Sequence, residues 1–198
     1  MWIAGGARAA TTQTRGDHSM SEQAHVAAGG VGTAEPAGAV DPKELRSVMG
    51  RFATGVVVVT TGGEHVHGMT ANAFGSVSLD PPLVHVCVAH SAVMHRALTS
   101  TGRFGVSVAA ADQEPAVRHF ADRERVLGAA QFDVVDWAPG PLTGAPLLTG
   151  ALAWLECEVV TAHPAGDHTL FLGRVLGCGS GAEQGALVFH QGRFQRVG

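Results

Sequence analysis

Two periods govern hydrophobic and polar positions along this chain, and the switches between them predict short strands separated by a few short helices. Residues 1–40, rich in Ala, Gly and Thr with scattered charge, follow neither period and are expected to form a disordered arm. Order begins at Asp41. An N-cap Asp41, Pro42 at the first helical position, and Leu45, Val48, Met49 and Phe52 at helical spacing predict a short amphipathic helix that ends at Gly50. The β-branched run Val56 to Val59 suits a strand buried on both faces, and Gly62-Gly63 turns it into a second strand. Ser76 to Leu79 alternates polar with apolar until Asp80-Pro81-Pro82 stops it, and Leu83 to Val88 is a third strand.

Ser91 is expected to cap a helix running to about Leu98, with Val93, Met94, Ala97 and Leu98 facing inward and Gly102 closing it. Phe104, Val106 and Val108 mark an alternating strand. Asp112 is expected to cap another short helix that buries Val117 and Phe120. The segment from there to about Gly144 reads as loop, placed to cover something. Ala153, Leu155, Cys157 and Val159 then alternate with Trp154, Glu156, Glu158 and Val160 as a long half-buried strand. Thr169 to Leu176, Leu187 to His190 and a short segment at Phe194 complete the set. Six or more strands with two or three short helices suggest a small antiparallel barrel, closed or partly open.

Length narrows this to one globular domain, since 198 residues are too few for two comfortable ones. Hydrophobic residues make up 45% of the chain and charged ones only 15%, which fits a compact soluble protein with apolar surface to spare for a subunit interface. A net charge of -4 and a single lysine, Lys43, argue against a nucleic-acid surface. The N-terminus lacks a signal-like apolar run and no later run is long enough to span a bilayer, so the expected setting is cytoplasmic, without membrane contact. Cys87, Cys157 and Cys178 are odd in number and widely spaced, which fits free thiols in a reducing compartment.

Several chemical motifs can be set aside. His65 and His67 lie two apart near a hairpin turn, but no third ligand stands at a diagnostic spacing, so a metal site is not expected. Exposed histidines, or buried ones with satisfied hydrogen bonds, are expected instead. Gly177 to Gly181, GCGSG, leads to another strand rather than opening a helix, which removes the dinucleotide-fingerprint reading. No serine sits in a nucleophile elbow. Glu156 and Glu158 share one strand face, where such carboxylates usually meet solvent or an arginine.

One stretch is different. Gly68 to Val84, GMTANAFGSVSLDPPLV, places hydroxyls, an amide and backbone N–H groups beside one aromatic ring, a mixture that suits a planar heteroaromatic with a polar rim. On composition alone it reads equally well as a polar edge strand with turn chemistry. Gly166-Asp167-His168 adds a turn from which an imidazole can project into a cleft mouth.

Taken in order, FATGVVVVT, GMTANAFGSVSLDPPLV, FGVSV, GAPLLTGALAWLEC, GDHTLFLGRV and ALVFHQGRF resemble the flavin reductase-like family from about residue 43 to the C-terminus. The resemblance implies a mainly β fold, a six-stranded Greek-key split barrel with short peripheral helices over residues 41–198. It also implies a homodimer with flavin near the subunit interface, and NAD(P)H-dependent reduction of FMN or FAD to feed a partner monooxygenase. Alternatives within the same fold are a flavoprotein with tightly held FMN acting on another acceptor, and a non-catalytic flavin- or heme-binding module. Carried over, Thr70, Asn72, Ala73, Phe74, Gly75, Ser76, Ser78 and Leu79 line the isoalloxazine and ribityl chain, while His90, Ser91 and His95 stand at the phosphate end. His168 matches the position beside the nicotinamide of NADH or NADPH, and Arg118 is a further candidate anion partner. Ala73 departs from the serine common in relatives, and Phe189 and Phe194 stand where tyrosines are frequent.

Overall fold

The computed structural model describes residues 40–181 and 183–198, so the expected arm lies, apart from Val40, outside the described residues. Helix α1 (Pro42–Met49) starts as its sequence predicts, with the Asp41 carboxylate accepting the Lys43 N–H at 2.9 Å. The remaining elements are β1 (Thr54–Gly55), β2 (Val57–Thr61), β3 (His67–Ala71), β4 (Phe74–Leu79), β5 (Pro82–Ala89), α2 (Val93–Thr101), β6 (Arg103–Val108), α3 (Glu114–Ala121), β7 (Trp137–Pro139), β8 (Pro146–Leu148), β9 (Ala153–Ala165), β10 (His168–Ser180), β11 (Ala186–His190) and β12 (Arg193–Val197).

Mainly antiparallel β structure dominates. Seven strands form one sheet in the order β3-β2-β6-β9-β10-β5-β4. Its two edge strands, β3 and β4, are consecutive in the chain and joined only by Asn72 and Ala73. A flat sheet of that width would separate its edges by roughly 29 Å, whereas the link reaches about 11 Å. The sheet must therefore curl until its edges approach, and the polar stretch from Met69 to Phe74 lies on that seam. The stretch from Met69 to Leu79 divides at Asn72 and Ala73 into β3 and β4, and the Asp80-Pro81 turn joins β4 to β5, which pair with Leu79 opposite Pro82. Pro82 is tolerated as the first residue of its strand.

Two apolar clusters explain the Val56 to Val59 run. Val57 and Val59 pack with Val86, Val88, Phe104, Val106, Phe171 and the inner face of α2. Val56 and Val58 point the other way, to Val117, Phe120, Phe132, Leu148 and Leu187. Each such side chain contributes about 1.5–3 kcal/mol on burial, so the strand is secured from both faces.

Local differences from the sequence reading have local causes. Helix α2 begins after Ala92 with no side-chain cap, so Ser91 is left free, and α3 begins after Gln113, whose carboxamide oxygen accepts from the Ala110 N–H. Inside the expected loop lies β7, which pairs with β8 just beyond it in a small hairpin that prolines hid from any period. That hairpin covers position 156 but not 158. Glu156 is consequently fully buried rather than solvent-facing, its Oε1 accepting from Leu142 N, Thr143 N and Thr143 Oγ1 at 2.8–3.0 Å, while Glu158 stays half-buried beside Arg174. Of the two hairpin histidines, His65 is at the surface and His67 is buried in β3.

Candidate functional site

A cavity of about 550 Å³ opens at the sheet seam. One wall is the end of β3 and the link, Met69 to Ala73; a second is the end of β5, Cys87 to Ala89, continuing into Ser91, Ala92 and Val93 at the start of α2. A third comes from the end of α3 and the segment after it: Phe120, Ala121, Arg123, Arg125 and Leu127. His168 and His67 complete the lining.

Five of the residues expected from sequence meet here: Thr70, Asn72, Ala73, Ser91 and His168. The Thr70 hydroxyl donates to the Val117 carbonyl at 2.6 Å, so toward the cavity it can only accept. Neither the Asn72 amide nor the Ser91 hydroxyl makes a hydrogen bond to another described residue, and both remain available to a ligand. His168 leaves the two-residue turn between β9 and β10, where Gly166 takes a positive φ of 63°. Its Nδ1 meets the Asp167 carboxylate at 2.7 Å, and this bond together with the imidazole's charge lowers the Asp167 pKa. With Nδ1 committed, Nε2 is the nitrogen left to act in the cavity.

The other expected residues are placed elsewhere. His90 and His95 both turn Nε2 to the Thr169 hydroxyl, at 3.1 and 2.9 Å, and their rings meet edge-on with centroids 5.2 Å apart. The His90 N–H also donates to the Asp167 carbonyl at 3.0 Å. These contacts fasten the His168 turn to the entrance of α2, so the two histidines brace the site from behind its wall. Phe74, Gly75, Ser76, Ser78 and Leu79 lie beyond the link on β4, outside this cavity. Phe74 packs on the core and Gly75 lies against the His85 ring, whereas Leu79 is 90% exposed. Arg118 is on the outer side of α3, paired with Glu114 at 2.7 Å and lying 4.9 Å from the Phe194 ring centre, also outside the cavity.

Sequence reasoning missed His67, Arg123 and Arg125. The alternating charges of Asp122 to Arg125 were the available signal, but a charge run after a helix ordinarily reads as solvated surface. Arg125 instead folds back, donating to the carbonyls of Asp122 and Gly68 and to His67 Nε2 at 3.3 Å. Since arginine only donates, His67 is the Nδ1–H tautomer. Burial and then the neighbouring guanidinium lower the His67 pKa to about 4, so the imidazole is neutral at ordinary pH.

This lining suits a flat heteroaromatic carrying phosphate. Ala71, Ala73, Val88, Ala89 and Ala92 keep the walls apolar and shallow, and Asn72 and Ser91 offer polar contacts at the rim. At the start of α2 no side chain caps the free N–H groups, an arrangement that receives an anion. Ala73 supplies no hydroxyl, so a rim contact there falls to the backbone.

Comparison with known proteins agrees with that chemistry. Residues 49–198 match the flavin reductase like domain. The chain is 52% identical over 166 residues to the NADH-dependent FAD reductase of Streptomyces globisporus, covering 82% of this chain and 91% of that one. It is 47% identical over 173 residues to an NADH-dependent flavin reductase of a Rhodococcus species, covering 82% and 93%. Among solved structures, BorF, the flavin reductase component of a bacterial two-component tryptophan halogenase, superposes with a TM-score of 0.77 at 51% identity, over 79% of this chain and 98% of that one. The Streptomyces globisporus NADH:FAD oxidoreductase SgcE6, in complex with NAD and FAD fragments, gives 0.75 at 50% identity, over 82% and 98%. The cavity on the seam of the antiparallel sheet thus accompanies sequence identity along most of the chain, which belongs to the flavin reductase-like family.

Proposed function

We propose that this protein is an NADH-dependent flavin reductase that reduces FAD or FMN and releases the product to a separate flavin-dependent oxygenase or halogenase. The observation that carries this is the seam cavity, where an apolar floor, unpaired rim groups and an uncapped helix start converge on one ligand shape. When bound, the nicotinamide supplies a hydride and the flavin accepts it. The protein's part is to bind and align: Asn72, the Ala73 backbone and Ser91 hold the flavin rim, and the start of α2 holds its phosphate. His168, oriented by Asp167, positions the nicotinamide. No side-chain nucleophile is required. Relatives named for NADH support that donor over NADPH.

The same reading takes the curled sheet as the Greek-key split barrel of the family, one domain over residues 41–198. It makes the active form a homodimer. Val77 and Leu79 stand exposed on β4 beside the seam, and Leu45, Val48, Met49 and Phe52 are exposed around α1, giving apolar surface for a second copy. In that dimer the β4 residues Phe74, Gly75, Ser76, Ser78 and Leu79 approach the flavin from the interface side. The enzyme works in the cytoplasm, where NADH is available and Cys87, Cys157 and Cys178 remain thiols.

Flavin carried as a substrate must exchange. Gel-filtered protein is therefore expected to hold flavin in less than stoichiometric amount and to take up and lose added FAD or FMN within the time of a binding measurement. A stoichiometric flavin that survives prolonged dialysis contradicts the reading and points to a prosthetic group.

A further inference from the structure

We propose that Arg123 and Arg125 form an anion subsite that receives the diphosphate of a dinucleotide, FAD or NADH; this rests on the flavin reductase reading of the cavity. Both side chains line the cavity, whose lining contains no Asp or Glu. Arg125 is half-buried, and its acceptors are the carbonyls of Asp122 and Gly68 and the neutral ring of His67. None of these carries charge. Among the described residues Arg125 forms no ion pair, and its buried Nε–H has no partner. The Asp122 carboxylate acts on Arg125 without bonding to it and accepts the Glu124 N–H at 2.9 Å, and neither Asp122 nor Glu124 is in the cavity lining.

Withdrawing a guanidinium from water is unfavourable; the Asp122 carboxylate offsets part of that cost without forming an ion pair, and a bound anion offsets more through charge-assisted hydrogen bonds. Both N–H groups on Nη2 go to Gly68 and His67 and one on Nη1 goes to Asp122, so beside the buried Nε–H the second Nη1–H is the donor left to meet a phosphate oxygen. Arg123, exposed two positions earlier, adds a second cation without a side-chain bond of its own among the described residues. The mononucleotide phosphate is already assigned, under the reductase reading, to another wall, at the start of α2. A second phosphate group therefore implies a dinucleotide.

Arg123→Gln and Arg125→Lys, separately and together, test this with riboflavin, FMN and FAD as fluorescent ligands and with the KM for NADH. Loss of one charge-assisted contact corresponds to an affinity loss of about ten- to a hundredfold. If FAD supplies the diphosphate, FAD binding weakens by that factor while FMN, riboflavin and the KM for NADH hold. If NADH supplies it, its KM rises by that factor with all three flavins unchanged. Equal weakening of riboflavin, FMN and FAD would mean that Arg125 merely anchors its segment, and it would overturn the proposal, as would unchanged values for both FAD and NADH. Flavin binding is read without turnover. A wild-type protein that binds FAD but does not oxidise NADH thus contradicts the reductase reading, while the FAD to FMN comparison still decides the subsite.

Discussion

Burial and the Arg125 guanidinium keep His67 neutral in the folded protein, with its pKa lowered from 6.5 to about 4. The unfolded chain therefore binds a proton that the folded chain refuses between those values. His67's contribution to stability is complete above pH 6.5 and is lost as pH falls from 6.5 to about 4, by at most about 3 kcal/mol. The urea midpoint should decline across that window in the wild type, and His67→Gln should flatten the decline; an equal slope in both proteins would assign the acid sensitivity elsewhere. His168 is the opposite case, half-exposed and oriented by a surface carboxylate. His168→Ala is expected to raise the KM for NADH about tenfold, the scale of one lost hydrogen bond, with little effect on flavin affinity. Lost FMN binding with an unchanged KM would remove His168 from the nicotinamide side. Sequence showed His168 because its turn announces itself. It hid His67, because alternation near a hairpin does not say which face the Phe120 to Leu127 segment will cover.

At the scale of elements, the long hairpin of β9 and β10 carries the His168 turn, and its fit to β6 depends on a missing side chain. A Cβ at Gly173 would stand 2.6 Å from the Phe104 ring, which is fully buried. Gly173→Ala must displace that ring, at a cost of about 1–3 kcal/mol by analogy with overpacked cores. A drop in melting temperature of roughly 2–12 °C follows, and an unchanged melt would mean that Phe104 has room to shift. Strands β2, β5, β6 and β10 were legible because both periods and β-branched runs depend on near neighbours. The β7–β8 hairpin and the burial of Glu156 were not, because both depend on a pairing that spans Trp137 to Leu148 and on contacts to β9 formed only on folding. The starts of α2 and α3 shifted for a similar reason: Ser91 and Asp112 are good caps by type, but Ala92 and Gln113 sit at the geometric boundary.

For the whole molecule, the curled sheet leaves β4 partly bare. Leu79 at 90% and Val77 at 52% exposure are costly surface for a monomer and ordinary surface for a subunit contact. Light scattering should report a mass twice that of the chain, and Leu79→Lys should shift it toward the monomer with weakened flavin binding. A wild type that is monomeric at micromolar concentration would confine the site to one chain. Which face a second copy covers is not written in a single sequence's periodicity, since Val77 and Leu79 alternate like any half-buried strand.

A seam cavity that aligns a nicotinamide with an exchangeable flavin must turn over many flavins per protein, and steady-state kinetics reads this out. Purified protein, NADH and a large excess of FAD or FMN are mixed in air while the reduced nicotinamide absorbance is followed. Sustained NADH oxidation through many equivalents of flavin per protein, suppressed when no flavin is added, is the predicted result. No oxidation of NADH or NADPH with FAD, FMN or riboflavin would contradict it.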